Sequence, residues 1–211
     1  MKRWMIGMGA GLSLMSLSGC AKIVKTGTEA ELTGETSFEE SLDVSSFWDS
    51  QAVPEIKENA VDLVQFLTES AGKLDSQAEK YGRYTMGNSG DINFAVHGIG
   101  TVDNVNTEKK AGYLEITLED YTGSEKIHIQ IGSVVKKTSI RDYLSFLDIN
   151  DYGDQIEFAQ LSKGINNYVL EHVVGAVDLT SLSGKQVEFY GCFTYDKDDE
   201  LLITPVVLEV K

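Results

Sequence analysis

A chain of 211 residues with 42% hydrophobic and 24% charged side chains holds one ordinary globular domain plus accessories. Its 18 basic against 33 acidic side chains give a net charge of −15, which excludes nucleic acid as a partner, because affinity for phosphate backbones comes from clustered Lys and Arg. Two cysteines, Cys20 and Cys192, and three scattered histidines, His97, His128 and His172, supply no metal-ligand cluster, and a lone GIG at 98–100 is no dinucleotide fingerprint, so no cofactor is expected.

The chain opens with Lys2 and Arg3, followed by an uncharged, mostly apolar run from Trp4 to Leu17 and then small residues. The run is shorter than the ~20 residues of a membrane span, and the layout is that of an export signal. Leu17 to Cys20 read LSGC, which resembles the lipobox of bacterial lipoproteins. The resemblance implies that the Cys20 sulfur takes a diacylglyceryl group and that cleavage removes residues 1–19. Two or more acyl chains would hold the protein on a membrane essentially permanently, at ~0.8 kcal/mol per buried methylene. Ala21 rather than Asp follows the cysteine; in a Gram-negative cell that favours the periplasmic face of the outer membrane. Loss of Lys2 and Arg3 leaves 16 basic against 33 acidic side chains, a mature charge of −17.

Residues 20–37, polar and aperiodic, read as the lipidated N-terminus and tether, and 38–211 as a single globular domain, helical over 38–82 and strand-rich over 90–211. Ser37 and Glu40 have capping-box spacing. Pro54 suits a helix first turn, and Ile56, Ala60, Leu63, Val64, Leu67, Ala71, Leu74, Ala78 and Tyr81 recur at three- and four-residue spacing. That stripe predicts one long amphipathic helix over 54–81, ended by Gly82 and packed on the protein's own sheet.

From Asp91 the period becomes two. INFAVHGIGTV, GYLEITLED and EKIHIQI give three strands, and KQVEFYGCFTY and LLITPVVLEV two more. Between the third and fourth lies a helical stretch in which Phe158, Leu161, Ile165, Val169 and His172 share a face. Three strands, a helix and two strands is the order of an OB-fold-like five-stranded barrel, with Gly98 and Gly100 bending the first strand. No parallel strands are expected.

Two central segments carry a family resemblance. In the first, Ile131, Gly132, Val134, Thr138, Arg141 and Asp142 match a family pattern, with Ser133 in place of a usual Pro and Lys136-Lys137 in place of Arg-Gly. In the second, Gln155, Ile156, Glu157, Phe158, Ala159 and Asn166 match, while Asp154 and Ile165 depart. Phe47, Trp48, Pro54 and the terminal ITPV also fit. The chain resembles the predicted periplasmic lipoproteins of unknown function, whose members often lie beside sugar ABC-transporter genes. The resemblance implies an envelope location and no assigned activity.

The densest polar cluster is Lys136, Lys137, Thr138, Arg141 and Asp142 around a predicted helix start. Two readings stand. The cluster binds an anionic or hydroxyl-rich ligand, with Gln155 and Asn166 converging beside Arg141, or it is structural, with Asp142 closing a capping box on Ser139. His97 and His128 fall on outward strand positions without a nucleophile beside them, and Cys192 has no nucleophile signature. The chain therefore reads as a non-enzymatic binding or accessory module, attached to the membrane through Cys20. Its partner would be a small polar or anionic ligand or a transporter component. The alternatives are an envelope glycan hydrolase and a scaffold that meets another envelope protein through its 54–81 helix.

Overall fold

The computed structural model describes residues 44–152 and 154–211, all within one compact unit. The leader, Cys20, the tether at 20–37 and the Ser37–Glu40 capping box lie outside the described residues.

The helical layer begins with α1 (Val44–Phe47), a π-helical turn (Trp48–Ala52) and α2 (Val53–Asn59), whose first turn holds Pro54. The single helix expected over 54–81 is broken twice. Ala60 turns extended, with ψ 126°, and β1 (Val61–Asp62) pairs with Val96 and His97. Asp62 then accepts the Gln65 amide at 2.9 Å and starts α3 (Leu63–Ser70). Left-handed Ala71 and Gly72, at φ 49° and 80°, end it, and a 3₁₀ turn (Leu74–Gln77) leads into α4 (Ala78–Tyr81). Apolar spacing fixes which side faces the core and says nothing about backbone continuity. The stripe is kept in part: Ile56, Leu63, Leu67, Leu74 and Ala78 are buried, Ala60, Val64 and Tyr81 are half-buried, and Ala71 is exposed.

The barrel is built from β3 (Ser89–Asn106), β4 (Tyr113–Leu118), β5 (Lys126–Gln130), β6 (Gln186–Thr194) and β7 (Glu200–Val210), with β2 (Gly82–Met86) folded back on β3 as a hairpin. The order β3-β4-β5-β7-β6 closes through a β3–β6 pairing. Within the barrel the 18-residue β3 serves two neighbours, β6 along its middle and β4 along its second half. Their approach leaves no room for side chains at the bend: a Cβ on Gly98 would sit 2.7 Å from the Phe189 ring, and one on Gly100 2.6 Å from Ile116.

One pairing corrects the expectation of no parallel strands. β5 and β7 run parallel, from Lys126↔Glu200 to Ile129↔Ile203, as do β1 and β3. The first is forced by counting. A closed ring of five strands cannot alternate direction all the way round, so one neighbouring pair must agree.

Inward residues alternate as the period-two pattern requires. Phe94, Ile116, Ile129, Phe189 and Ile203 are all buried. Phe66 of α3 plugs this core, with ring centroids 5.0 Å from Phe94 and 5.8 Å from Phe193. Between β5 and β6 come α5 (Ser139–Tyr143) and α6 (Gln155–Tyr168). Asp154 caps α6 by accepting the Ile156 and Glu157 amides at 2.8 and 2.9 Å. A π-helical turn (Val169–Val174) follows. Its extra residue shifts the buried face from His172, which is exposed, to Val173.

Candidate functional site

The segment after β5 is fastened before it reaches Arg141. The buried Gln130 side chain accepts the Lys136 amide at 2.7 Å and donates to the Lys136 carbonyl at 3.1 Å and to Thr204 at 3.0 Å. Ser139 is buried and donates to the Cys192 carbonyl at 3.0 Å. Lys137 adopts φ 70°, the left-handed region where the family pattern carries glycine.

Arg141 uses its guanidinium on the protein itself. Nε donates to Asp142 Oδ1 at 2.7 Å, Nη1 to the Phe158 carbonyl at 3.0 Å and Nη2 to Thr138 at 3.4 Å. Nη2 also lies 2.6 Å from Asp142 Oδ1, and the guanidinium stacks 4.1 Å over the Phe158 ring. The Thr138 hydroxyl donates to Asp142 Oδ2, so Asp142 turns to Thr138 rather than to the Ser139 amide. The Arg141 and Asp142 side chains are only 12% and 6% exposed. Thr138, Arg141 and Asp142 are thus brought together as a clamp that ties α5 to α6. Gln155 is exposed in the first turn of α6. Asn166 lies eight residues beyond Phe158, whose carbonyl Arg141 reaches, and about 12 Å further along the helix axis, so it does not join Arg141. Lys136 is exposed, and Lys137 pairs with Asp196 at 3.3 Å.

A second clamp has no sequence signal. Arg83 of β2 pairs with Glu55 of α2, donates to the Tyr143 carbonyl at 2.6 Å and stacks 4.2 Å over the Tyr143 ring. Glu55 also accepts the Ser145 amide at 3.0 Å. Separations of 28 and 60 residues leave no local pattern to read.

Two strand histidines are committed as well. His97 meets Glu188 at 3.0 Å and stacks on Tyr190, and His128 meets Glu200 at 2.9 Å and stacks on Tyr113. Lys211 and His97 hold the Glu188 carboxyl below its ordinary value, and Lys197 does the same for Glu200. Burial pushes Glu55 up, but the bonds from Arg83 and Ser145 outweigh it and leave it lowered. Burial raises the Cys192 thiol, whose side chain is fully enclosed.

An open cleft of about 330 Å³ lies where the β3–β4 loop meets the end of β5, lined by Thr107, Glu108, Lys109, Lys110, Gly112, Ile131, Gly132 and Ser133. Its floor is backbone against backbone. The Ile131 and Gly132 amides both donate to the Gly112 carbonyl, at 3.0 and 3.1 Å, and the Val134 amide donates to the Lys110 carbonyl at 2.9 Å. A Cβ on Gly132 would lie 2.0 Å from the Gly112 nitrogen, so only glycine lets the two chains meet. Among the described residues, the charged ends of Glu108, Lys109 and Lys110 form no ion pair. The signal was present in sequence, as a lysine doublet in a turn followed by Gly112, with the matching Gly132 inside the family segment.

The family model described as "Predicted periplasmic lipoprotein (DUF2291)" matches residues 10–209. A crystal structure of an OB-fold protein from Thermotoga maritima superposes with a TM-score of 0.58 at 18% identity, covering 78% of this chain and 93% of that chain. That likeness concerns the fold. No curated protein matches the chain.

Proposed function

The chain belongs to the family of predicted periplasmic lipoproteins, and from that premise we propose that it is a lipid-anchored, non-catalytic binding module of the bacterial envelope. Cys20 carries the lipid, the tether frees the barrel from the membrane, and the barrel presents a site for a small polar or anionic ligand. In a Gram-negative cell the anchor places it on the periplasmic face of the outer membrane. The neighbourhood its resemblance implies fits accessory service to sugar uptake.

The observation that carries this reading is the contrast in commitment of charged groups. Arg83 and Arg141 are spent on internal partners, whereas the cleft keeps Lys109 and Lys110 uncommitted in a chain of net charge −15. The scaffold reading loses its surface, because the stripe at 54–81 faces the protein's own core.

Two measurements test the proposal. Mass spectrometry of protein from membranes should find a lipid-modified Cys20 as the N-terminus, and Cys20→Ala should remain an unprocessed precursor; an unmodified N-terminus elsewhere defeats the anchor. A thermal-shift screen with sugars, nucleotide sugars, organic acids and peptides should yield a stabilising ligand, worth about 2.7 kcal/mol at a hundredfold excess over Kd. Turnover of a glycan in the same screen would replace the reading with a hydrolase.

A further inference from the structure

We propose that the cleft between the 107–112 loop and the 131–133 strand end is selective for a small anion that also carries hydroxyl groups, such as a hydroxy acid or a polyol phosphate. This rests on the binding-module reading above and names the ligand chemistry of that module.

Four observations point the same way. First, Lys109 and Lys110 line the cleft, are exposed and form no ion pair among the described residues; Lys73, Lys126, Lys136 and Lys163 are likewise unpaired but lie outside it. An anion entering the cleft meets two ammonium groups that no carboxylate among the described residues has neutralised. Second, Glu108 lies in the same wall and is likewise unpaired. Its carboxylate repels a bare anion but accepts hydrogen bonds from hydroxyls, so the wall suits a ligand with both features. Third, Asn106 stands at the root of the loop with its Oδ1 buried and without a hydrogen-bond partner. Its own carbonyl packs against Gly112, where a Cβ would meet it at 2.6 Å. Buried polar groups left unsatisfied are uncommon, so the root of the loop carries an acceptor that the fold has not paired. Fourth, Thr107 and Ser133 add hydroxyls at the rim, and about 330 Å³ lies at the small end of ligand sites. Lysine suits such a site because its compact ammonium holds a carboxylate or phosphate without demanding a bidentate geometry.

The backbone supports this use. The loop is fixed by three amide bonds, from Ile131, Gly132 and Val134 to the carbonyls of Gly112 and Lys110. A ligand therefore meets a pre-arranged frame and orders little beyond the two lysine side chains, which limits the entropic cost of binding.

Isothermal titration of the mature chain with gluconate and glycerol 3-phosphate tests the proposal, against glycerol, acetate and inorganic phosphate. At least one of the first two should bind about tenfold or more tightly than glycerol and than its matching bare anion. The double variant Lys109→Ala/Lys110→Ala should weaken that binding by about tenfold or more and leave the unliganded melting temperature unchanged. Lys137→Ala, whose ammonium belongs to Asp196, should change neither. Glu108→Gln should narrow the preference over the bare anion, because an amide no longer repels it. Binding of acetate or phosphate as tight as that of the hydroxylated probe overturns the proposal, as does tight binding that survives the double lysine variant. Failure of both hydroxylated anions to bind also overturns it. A neutral or peptide ligand found in the wider screen would then leave the binding-module reading standing without this chemistry.

Discussion

The shoulder where α5 and α6 meet the barrel and the cleft beside the β3–β4 loop both gather basic side chains, yet their charges end in opposite states. At the shoulder, Arg141 spends its donors on Asp142, Thr138 and the Phe158 carbonyl and is roofed by an aromatic ring. At the cleft, Lys109 and Lys110 stand against glycine backbone and reach solvent. Density of positive charge along a sequence therefore does not mark a site. A binding surface needs donors that the fold has left unused, and a buried arginine with a full set of partners is a fastening.

The largest expected effect breaks that fastening. Arg141→Ala leaves Asp142 enclosed without its cation and should cost about 3 kcal/mol or more, lowering the melting temperature by about 6–12 °C in calorimetry. A near-unchanged transition accompanied by lost ligand affinity would move Arg141 from the shoulder's side of the comparison to the cleft's. Arg83→Ala should follow at about 2 kcal/mol, since its pair with Glu55 is more open to water, at 30% and 16% exposure. A double-mutant cycle with Glu55→Ala should return a coupling of about 0.5–3 kcal/mol; strict additivity would show that the two side chains do not act together.

Gly132→Ala sharpens the cleft's side. The added methyl meets the Gly112 nitrogen and the Lys110 carbonyl at 2.0 and 2.3 Å, so overpacking should cost about 1–3 kcal/mol in urea denaturation. Ligand affinity should fall as the loop is pushed away. Full affinity in the variant would mean that the backbone contact does not shape the cleft.

Acid should separate the two regions further. Glu55, Glu188 and Glu200 titrate below their ordinary value of 4.5 in the folded chain, so the unfolded chain binds more protons in that range. Their contribution is complete above about pH 4.5 and is lost as pH falls through the lowered folded values. Denaturation midpoints measured against pH should fall on the acid side, and Glu188→Gln should flatten the fall. The double lysine variant at the cleft should leave the slope unchanged, and a change there would contradict the absence of carboxylate partners.

The smallest effect concerns Lys137. A left-handed lysine is strained by about 1–2 kcal/mol, while glycine carries an extra entropic cost of about 0.5–1 kcal/mol. Lys137→Gly should thus stabilise by about 0.5 kcal/mol, after loss of an exposed pair with Asp196 that contributes little. Destabilisation beyond about 1 kcal/mol would show that the lysine side chain holds the turn.

What the sequence by itself determined is what depends on neighbours along the chain. Alternation placed the five strands from Ile92 to Val210, and the order of strands and helix gave the barrel class. The three- and four-residue spacing placed Ile56, Leu63 and Leu67 on the buried side. The family segment from Ile131 to Asp142 marked a region of fixed geometry, and the left-handed backbone at Lys137 explains the glycine of the family pattern. What only the tertiary structure decided depends on residues far apart in sequence. It set the break at Ala60, made where Val61 pairs with Val96 of a strand more than thirty residues later. It set the parallel contact of β5 with β7, which ring closure imposes on an odd number of strands. It also decided which cations remain available. Arg83 finds Glu55 and Tyr143 across 28 and 60 residues, Arg141 closes on Phe158, and Lys109 and Lys110 meet no carboxylate among the described residues. A charged side chain's sequence gives its chemistry, but whether that chemistry is free to act is settled by partners that folding brings within about 4 Å.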